Sequence, residues 1–85
     1  MKHFATPEFW ECYRRLQPEI RQLADKNFEL LRAKPQHPSL RLKKVGRYWS
    51  ARVGLRYRAL AIDRAEGLVW FWIGDHEAYD QLLKR

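Results

Sequence analysis

The segment from Arg41 to Arg58, RLKKVGRYWSARVGLRYR, combines a high positive charge with a regular alternation of apolar and polar residues. It holds seven of the seventeen Lys and Arg residues of the chain and no Asp or Glu. Alternation of this kind, with aromatic side chains included, is typical of β-strands and not of a disordered basic tail. The chain must therefore fold so that a strongly charged surface lies on paired strands.

The positive charge is concentrated in this segment, because the other residues contain ten basic and ten acidic side chains. The formal net charge of +7 therefore belongs to the predicted strands. Charge held on a rigid sheet attracts polyanions and can direct single guanidinium groups at single phosphates. The segment thus predicts a surface for nucleic acid.

The length of 85 residues, 46% of them hydrophobic, predicts one folded domain over residues 1–85. The single cysteine, Cys12, cannot form an internal disulfide, which favours a reducing compartment. No apolar stretch typical of a secretory signal follows Met1, and the uncharged run from Gly67 to Gly74 is too short to cross a bilayer. We expect a soluble cytoplasmic protein.

The first half of the chain predicts two helices. Residues 2 to 5 are a weak candidate for a strand, after which Thr6 resembles an N-cap with Pro7 at the first position of a helix to about residue 16. Pro18 interrupts this helix and suits the start of a second one. The second helix has apolar residues at helical spacing, namely Ile20, Leu23, Ala24, Phe28 and Leu31.

The apolar period changes from 3.6 to 2 after the proline-containing loop Lys34–Ser39. A short alternating segment, Leu40–Val45, precedes predicted strands at Tyr48–Val53 and Tyr57–Ile62. The uninterrupted apolar run Leu68–Ile73 predicts a strand that is covered on both faces and is the most buried in the sheet.

The residues Asp63–Gly67 predict a turn before this apolar strand, and Asp75 is a candidate N-cap for a last helix. These elements together predict an α+β fold. An N-terminal helical hairpin is expected on one face of a mostly antiparallel sheet of three or four strands, followed by a short C-terminal helix.

Two arginines, Arg52 and Arg58, lie on neighbouring predicted strands, and alternation places Tyr48, Ser50 and Arg52 on one face. Arg58 stands in an otherwise apolar strand, so its charge needs a partner. One alternative is an ion pair at the sheet rim, with Asp63, Asp75 or Glu77. The other is a phosphate clamp, which the lack of acidic residues within the basic segment favours.

His76 lies where the last strand ends and the last helix begins, with Tyr79 three residues later on the same helix face. Imidazole can transfer protons near neutral pH, although a histidine at a helix start is commonly structural.

The aromatic residues divide by their surroundings. Those in apolar patterns are expected in the core: Trp10, Trp70 and Phe71. Those interleaved with basic residues are candidates either for packing or for stacking on bases: Tyr48, Trp49, Tyr57 and Tyr79.

Several chemistries lack their sequence signatures. The chain has no Gly-rich phosphate loop, HExxH motif, paired-cysteine motif or GxSxG nucleophile. No acidic cluster suited to Mg²⁺ accompanies the basic strands. We expect no metal or cofactor, so a nuclease with this sequence would be metal-independent.

The segments HPSLRLKKVGRYWSARVGLRYRALAI and VWFWIGDHEAYDQLL are similar to the RelE/ParE superfamily of type II toxin–antitoxin toxins. The N-terminal helices and their exit at Pro35 extend this resemblance to nearly the whole chain; RVGLRYR and WIGDHEAYD are its more specific parts. The resemblance implies a RelE-like fold and a toxin that enters the ribosome and cleaves messenger RNA. The 2′-hydroxyl of the RNA attacks the adjacent phosphate and leaves a 2′,3′-cyclic end, without a metal or cofactor.

By position, the resemblance implies that Arg58 binds the scissile phosphate, that Arg52 is a nearby basic residue, and that His76 donates or accepts a proton. Tyr79 would stack on a base or orient the nucleophile. The basic segment supplies the remaining predicted RNA contacts: Lys43, Lys44, Arg47, Tyr48 and Arg56.

The chain departs from the family pattern at the general base. Some RNA-cleaving members carry lysines where this chain has Tyr48 and Ser50, and others use a glutamate with no counterpart here. The candidates for the base are His76 and the pair Lys43 and Lys44.

Two other functions remain open from the sequence. One is a ParE-type inhibitor that binds DNA gyrase without nuclease chemistry; the other is a non-catalytic nucleic-acid-binding module. Both toxin interpretations imply a cognate antitoxin whose acidic or amphipathic segment covers the basic sheet or displaces the last helix.

Overall fold

The structure is a computed structural model that describes residues 2–84, and these residues form an α+β fold. The strands are β1 (His3–Ala5), β2 (Lys43–Val45), β3 (Tyr48–Val53), β4 (Tyr57–Arg64) and β5 (Gly67–Asp75). The helices are α1 (Pro7–Arg14), α2 (Pro18–Ala33) and α3 (His76–Leu83), with a 3₁₀ turn at Pro38–Leu40. The predicted α+β class is confirmed, and β2, within the alternating segment Leu40–Val45, is a strand in addition to those predicted. None of the helices within residues 2–84 is long and apolar enough to span a membrane.

The described strands form one sheet in the order β1-β5-β4-β3-β2. Neighbouring strands are antiparallel except β1, which pairs parallel to β5 with His3 opposite Leu68. Because β2 joins one edge of the sheet and the weakly predicted β1 joins the other, the sheet has five strands within residues 2–84, and the predicted number of three or four was too low.

Side-chain caps determine where two of the helices begin. The Thr6 hydroxyl accepts a hydrogen bond from the Phe9 amide at 3.1 Å, and the Asp75 carboxylate accepts one from the Ala78 amide at 2.8 Å. Both caps satisfy amides that have no partner within the helix. α1 ends at Arg14, two residues earlier than predicted.

α1 and α2 cover one face of the sheet, and the hydrophobic core lies there. Outside the strands, its residues are Leu16 between the two helices, Leu31 of α2 and Leu40 of the 3₁₀ turn. Its residues from the strands are Ala51, Val53, Ala59, Ala61, Leu68, Trp70 and Ile73. Trp70 is thus confirmed as a core residue.

Two expectations about packing were wrong. β5 is not covered on both faces, because Val69, Phe71 and Trp72 remain partly exposed. Trp10 is not in the core, since it is 45% exposed beside a groove of about 250 Å³ that runs between α1, α2 and β1. Only part of the aromatic surface of α1 therefore packs against the sheet.

Candidate functional site

The sheet face opposite α1 and α2 carries the basic strand residues, and we call it the basic face. Strand register places Lys43 opposite Ser50 and Arg52 opposite Arg58, so this face carries basic residues on β2, β3 and β4. Leu60 pairs with Ser50 in the middle of this face, and both are fully buried. The predicted placement of Ser50 and Arg52 on one face is confirmed.

Arg58 is held on the basic face by neutral groups. Its Nη1 donates to the Ser50 hydroxyl at 3.4 Å, and its guanidinium carbon lies 5.3 Å from the centroid of the Tyr79 ring. No carboxylate within residues 2–84 lies within 4 Å of this guanidinium. The charge is only partly exposed and lacks an anionic partner, which is unfavourable unless an anion binds.

The predicted alternative of an ion pair with Asp63, Asp75 or Glu77 is not observed. Asp63 and Asp75 pair in register with Leu68 and Tyr57, whose side chains pack on the core side of the sheet. Alternation therefore turns both carboxylates away from Arg58.

Arg52 lies directly opposite Arg58, and its Nε donates to the Gly54 carbonyl at 2.8 Å. The Arg52 carbonyl in turn accepts from the Asn27 amide at 3.1 Å, which ties this strand to α2. Like charges at directly opposed positions destabilise a sheet. An anion placed between the two guanidinium groups would remove this repulsion.

Tyr79 is 6% exposed, and α3 packs it onto the basic face between Arg58 and Trp72. The ring centroids of Tyr79 and Trp72 are 6.4 Å apart. Gly74 makes room for Trp72, because a Cβ at position 74 would lie 2.5 Å from the indole. The Tyr79 ring is therefore a support under Arg58, with little surface left for a base.

His76 begins α3 at the edge of this patch, with about half of its side chain exposed. Its Nδ1 lies 3.2 Å from Asp80 Oδ2, and its ring centroid lies 5.6 Å from that of Tyr79. The His76 amide donates to the Arg56 carbonyl at 2.7 Å, which fixes the helix start against the β3–β4 hairpin. Asp80 was not predicted from the sequence as a partner of His76, although residues four apart on a helix lie on the same face and can interact.

The other residues predicted to contact RNA do not all lie on the basic face. Lys43 lies on the basic face, whereas Lys44 pairs with Trp49, which packs toward the core side. Arg47 lies over the Tyr48 ring at 5.4 Å, and Arg56 is exposed in the β3–β4 hairpin loop. Strand register thus places Lys43, Arg52 and Arg58 on one face and excludes Lys44.

The aromatic residues that were candidates for either core packing or base stacking lie on different faces of the sheet. Trp49 and Tyr57 pack against the core under α1 and α2, so they are structural. Tyr48 lies on the basic face and stays partly exposed.

Comparison with protein families identifies the class to which this fold and basic face belong. Residues 18–81 match the family described as the ParE-like toxin domain. This match spans most of the chain, so the chain belongs to the ParE-like toxin domain family. No curated protein has a significantly similar sequence.

Solved structures share the fold at low sequence identity. The RelB–RelE antitoxin–toxin complex from Methanococcus jannaschii matches with a TM-score of 0.72 and 14% identity, over 93% of this chain and 96% of that chain. The YoeB/ParE toxin from Agrobacterium tumefaciens gives 0.67 and 16%, over 89% and 99%. The isolated E. coli RelE toxin gives 0.62 and 16%, over 98% and 95%. The RelE-like fold expected from the sequence is confirmed.

Proposed function

We propose that this protein is the toxin of a type II toxin–antitoxin system and cleaves messenger RNA on the ribosome. The observation that carries the proposal is Arg58, a partly buried guanidinium without a carboxylate within 4 Å in residues 2–84. Its position opposite Arg52 makes a site for one phosphate, since a phosphate accepts several charge-assisted hydrogen bonds. Membership of the ParE-like toxin domain family supports the toxin part of this proposal.

The proposed reaction is a transesterification within the RNA. The 2′-oxygen of a ribose forms a bond to the adjacent phosphorus, and the bond from phosphorus to the 5′-oxygen breaks. One proton leaves the 2′-hydroxyl and one reaches the departing 5′-oxygen. The additional negative charge on the phosphorane would be stabilised by Arg58 and Arg52, and stabilisation of developing charge is commonly the largest contribution to catalysis.

His76 and Lys43 are the side chains we propose for proton transfer. His76 is partly exposed at the start of α3, and its Nδ1 faces Asp80, so Nε2 is the nitrogen available to the substrate. Lys43 lies in register with Ser50, the residue that holds Arg58. Lys44 is not proposed for proton transfer, because strand register places it on the core side of the sheet, opposite Trp49.

A cognate antitoxin is the proposed protein partner. Structures similar to this chain include RelB–RelE complexes. An antitoxin that covers the basic face has to place carboxylates opposite Arg52 and Arg58, because a buried unpaired charge is costly. A segment that displaces α3 would also remove Tyr79 from its position under Arg58.

Primer extension on a translated messenger in a purified translation system tests the proposal. The wild-type protein is expected to produce cuts that require ribosomes, and Arg58→Ala is expected to produce none. Arg14→Ala is the matched control, because it removes the same charge from an exposed position at the end of α1. Uncut messenger with folded wild-type protein contradicts the nuclease function.

Inhibition of DNA gyrase is the second candidate, because the matched family is ParE-like. It predicts DNA damage signalling on expression while transcripts remain intact. His76 would then be dispensable, and the arginines would be contact residues.

A further inference from the structure

A β-bulge gives β5 an unusual side-chain pattern. Leu60 pairs with Trp72 and Ala61 with Trp70, so Phe71 has no direct partner on β4. Trp70 and Ile73 both lie in the core under α1 and α2, although they are three residues apart. The residues between them, Phe71 and Trp72, are therefore both directed to the basic face, where regular alternation would have placed only one. Bulges commonly redirect side chains in this way next to functional sites.

Phe71 and Tyr48 form an aromatic pad on the basic face. Their ring centroids are 5.4 Å apart, and both side chains are partly exposed. Ile62 and Val69 pair with each other beside these rings and are also partly exposed. The structure therefore leaves a partly exposed apolar surface, with the two rings tilted by 52°, on a face that the helical hairpin does not cover.

The surroundings of the pad are cationic. The Arg47 guanidinium carbon lies 5.4 Å from the Tyr48 ring centroid, and Arg58 lies further along β4. Within residues 2–84, the β2 to β5 residues on this face include no Asp or Glu. This charge pattern attracts a polyanion, and the aromatic rings offer surfaces on which the bases of a single-stranded nucleic acid can stack.

We propose that the pad is a base-stacking subsite, in which Phe71 and Tyr48 receive a nucleobase of the single-stranded RNA whose phosphate binds at Arg58. Three residues of β4 separate Arg58 from the bulge, a distance of roughly 10 Å at the usual rise of a strand. A neighbouring nucleotide of an extended single strand reaches this far. The proposal rests on the proposed function for the identity of the RNA and adds the subsite that binds its base.

Binding of a non-cleavable RNA hexamer, 2′-O-methylated at each ribose, tests the subsite in the free protein. Fluorescence anisotropy is measured with the intact hexamer and with hexamers that carry one abasic position in turn. Wild-type protein is expected to bind one abasic hexamer about ten-fold more weakly, the loss typical of one stacked base. Phe71→Ala is expected to bind the intact hexamer about ten-fold more weakly and to show no further loss with the abasic one.

Phe28→Ala is the matched control, because Phe28 is a partly exposed phenylalanine on α2, beside the groove on the other side of the sheet. Tyr48→Ala is a second variant of the pad and is expected to reproduce the effect of Phe71→Ala, with circular dichroism as the check on folding. Equal binding of intact and abasic hexamers by the wild type overturns the proposal, and so does the absence of binding to either.

The two proposals fail separately. Base-dependent binding without cleavage of translated messenger supports the subsite and contradicts the nuclease. If the wild-type protein cleaves translated messenger but binds intact and abasic hexamers equally well, the nuclease function is supported and the subsite is overturned. Loss of antitoxin binding in Phe71→Ala with unchanged RNA binding also overturns it and assigns the pad to a protein partner.

Discussion

The Arg58 guanidinium carbon lies 5.3 Å from the centroid of the buried Tyr79 ring, so α3 positions the central charge of the basic face. A cation over an aromatic face is stabilised by the ring quadrupole, by about 0.5 to 2 kcal/mol depending on solvation. The same ring packs against Trp72. The last helix and the strand arginine therefore act as one unit.

Replacement of Tyr79 separates the role of its ring from that of its hydroxyl. Tyr79→Phe keeps the ring under Arg58 and is expected to retain cleavage of translated messenger, whereas Tyr79→Leu is expected to lose about ten-fold, in line with the loss of one cation–π contact. Cleavage is measured by primer extension, on variants shown to be folded by circular dichroism. An equal loss in both variants would mean that the hydroxyl acts on the substrate, contrary to the support role.

Gly74→Ala tests the close packing of Trp72. The new Cβ would lie 2.5 Å from the indole, so we expect overpacking to lower the free energy of unfolding by about 1–3 kcal/mol in urea titrations. In a Trp72→Leu background the same substitution is expected to cost much less, because the obstructing ring is gone. Additive effects in this double-mutant cycle would contradict the contact.

His76 and Lys43 are distinguished by comparing their variants. If His76 transfers a proton, His76→Gln is expected to slow cleavage by about 10²–10⁴-fold, and Lys43→Gln by much less. Asp80→Asn is expected to have an intermediate effect, because the carboxylate lies 3.2 Å from His76 Nδ1 and orients the ring. Single-turnover primer extension measures these rates. The reverse order of His76 and Lys43 would assign the proton transfer to the lysine.

Much of the fold could be predicted because its signals are local. Thr6 and Asp75 cap the helices that they were predicted to cap, since a cap needs only residues within one turn. Alternation along β3 predicted correctly that Ser50 and Arg52 share a face. The link between Arg58 and Tyr79 needed α3 to fold back over the sheet, which local patterns do not specify.

The predictions that were wrong concern residues whose environment depends on the pairing of distant parts of the chain. Phe71 was expected in the core because its strand is apolar throughout, but the bulge in the β4–β5 pairing directs it to the basic face. Trp10 follows a helical stripe, yet part of its ring borders the groove beside β1. The groove depends on how β1 joins the sheet edge, and three residues give only a weak signal for that.

His3 predicts a pH dependence of stability on the other side of the sheet. Its Nδ1 accepts a hydrogen bond from the Trp70 indole at 3.0 Å, so the ring is neutral there. Burial, with a smaller contribution from Arg32, lowers the pKa of His3 below its usual 6.5. The unfolded chain therefore binds this proton at a higher pH than the folded chain, and stability is lost as the pH falls below about 6.5. In urea titrations between pH 7.5 and 5.5, His3→Asn, whose amide oxygen can accept the same hydrogen bond, is expected to show a smaller decrease in the free energy of unfolding than wild type. Equal decreases in both proteins would show that His3 does not contribute to the pH dependence.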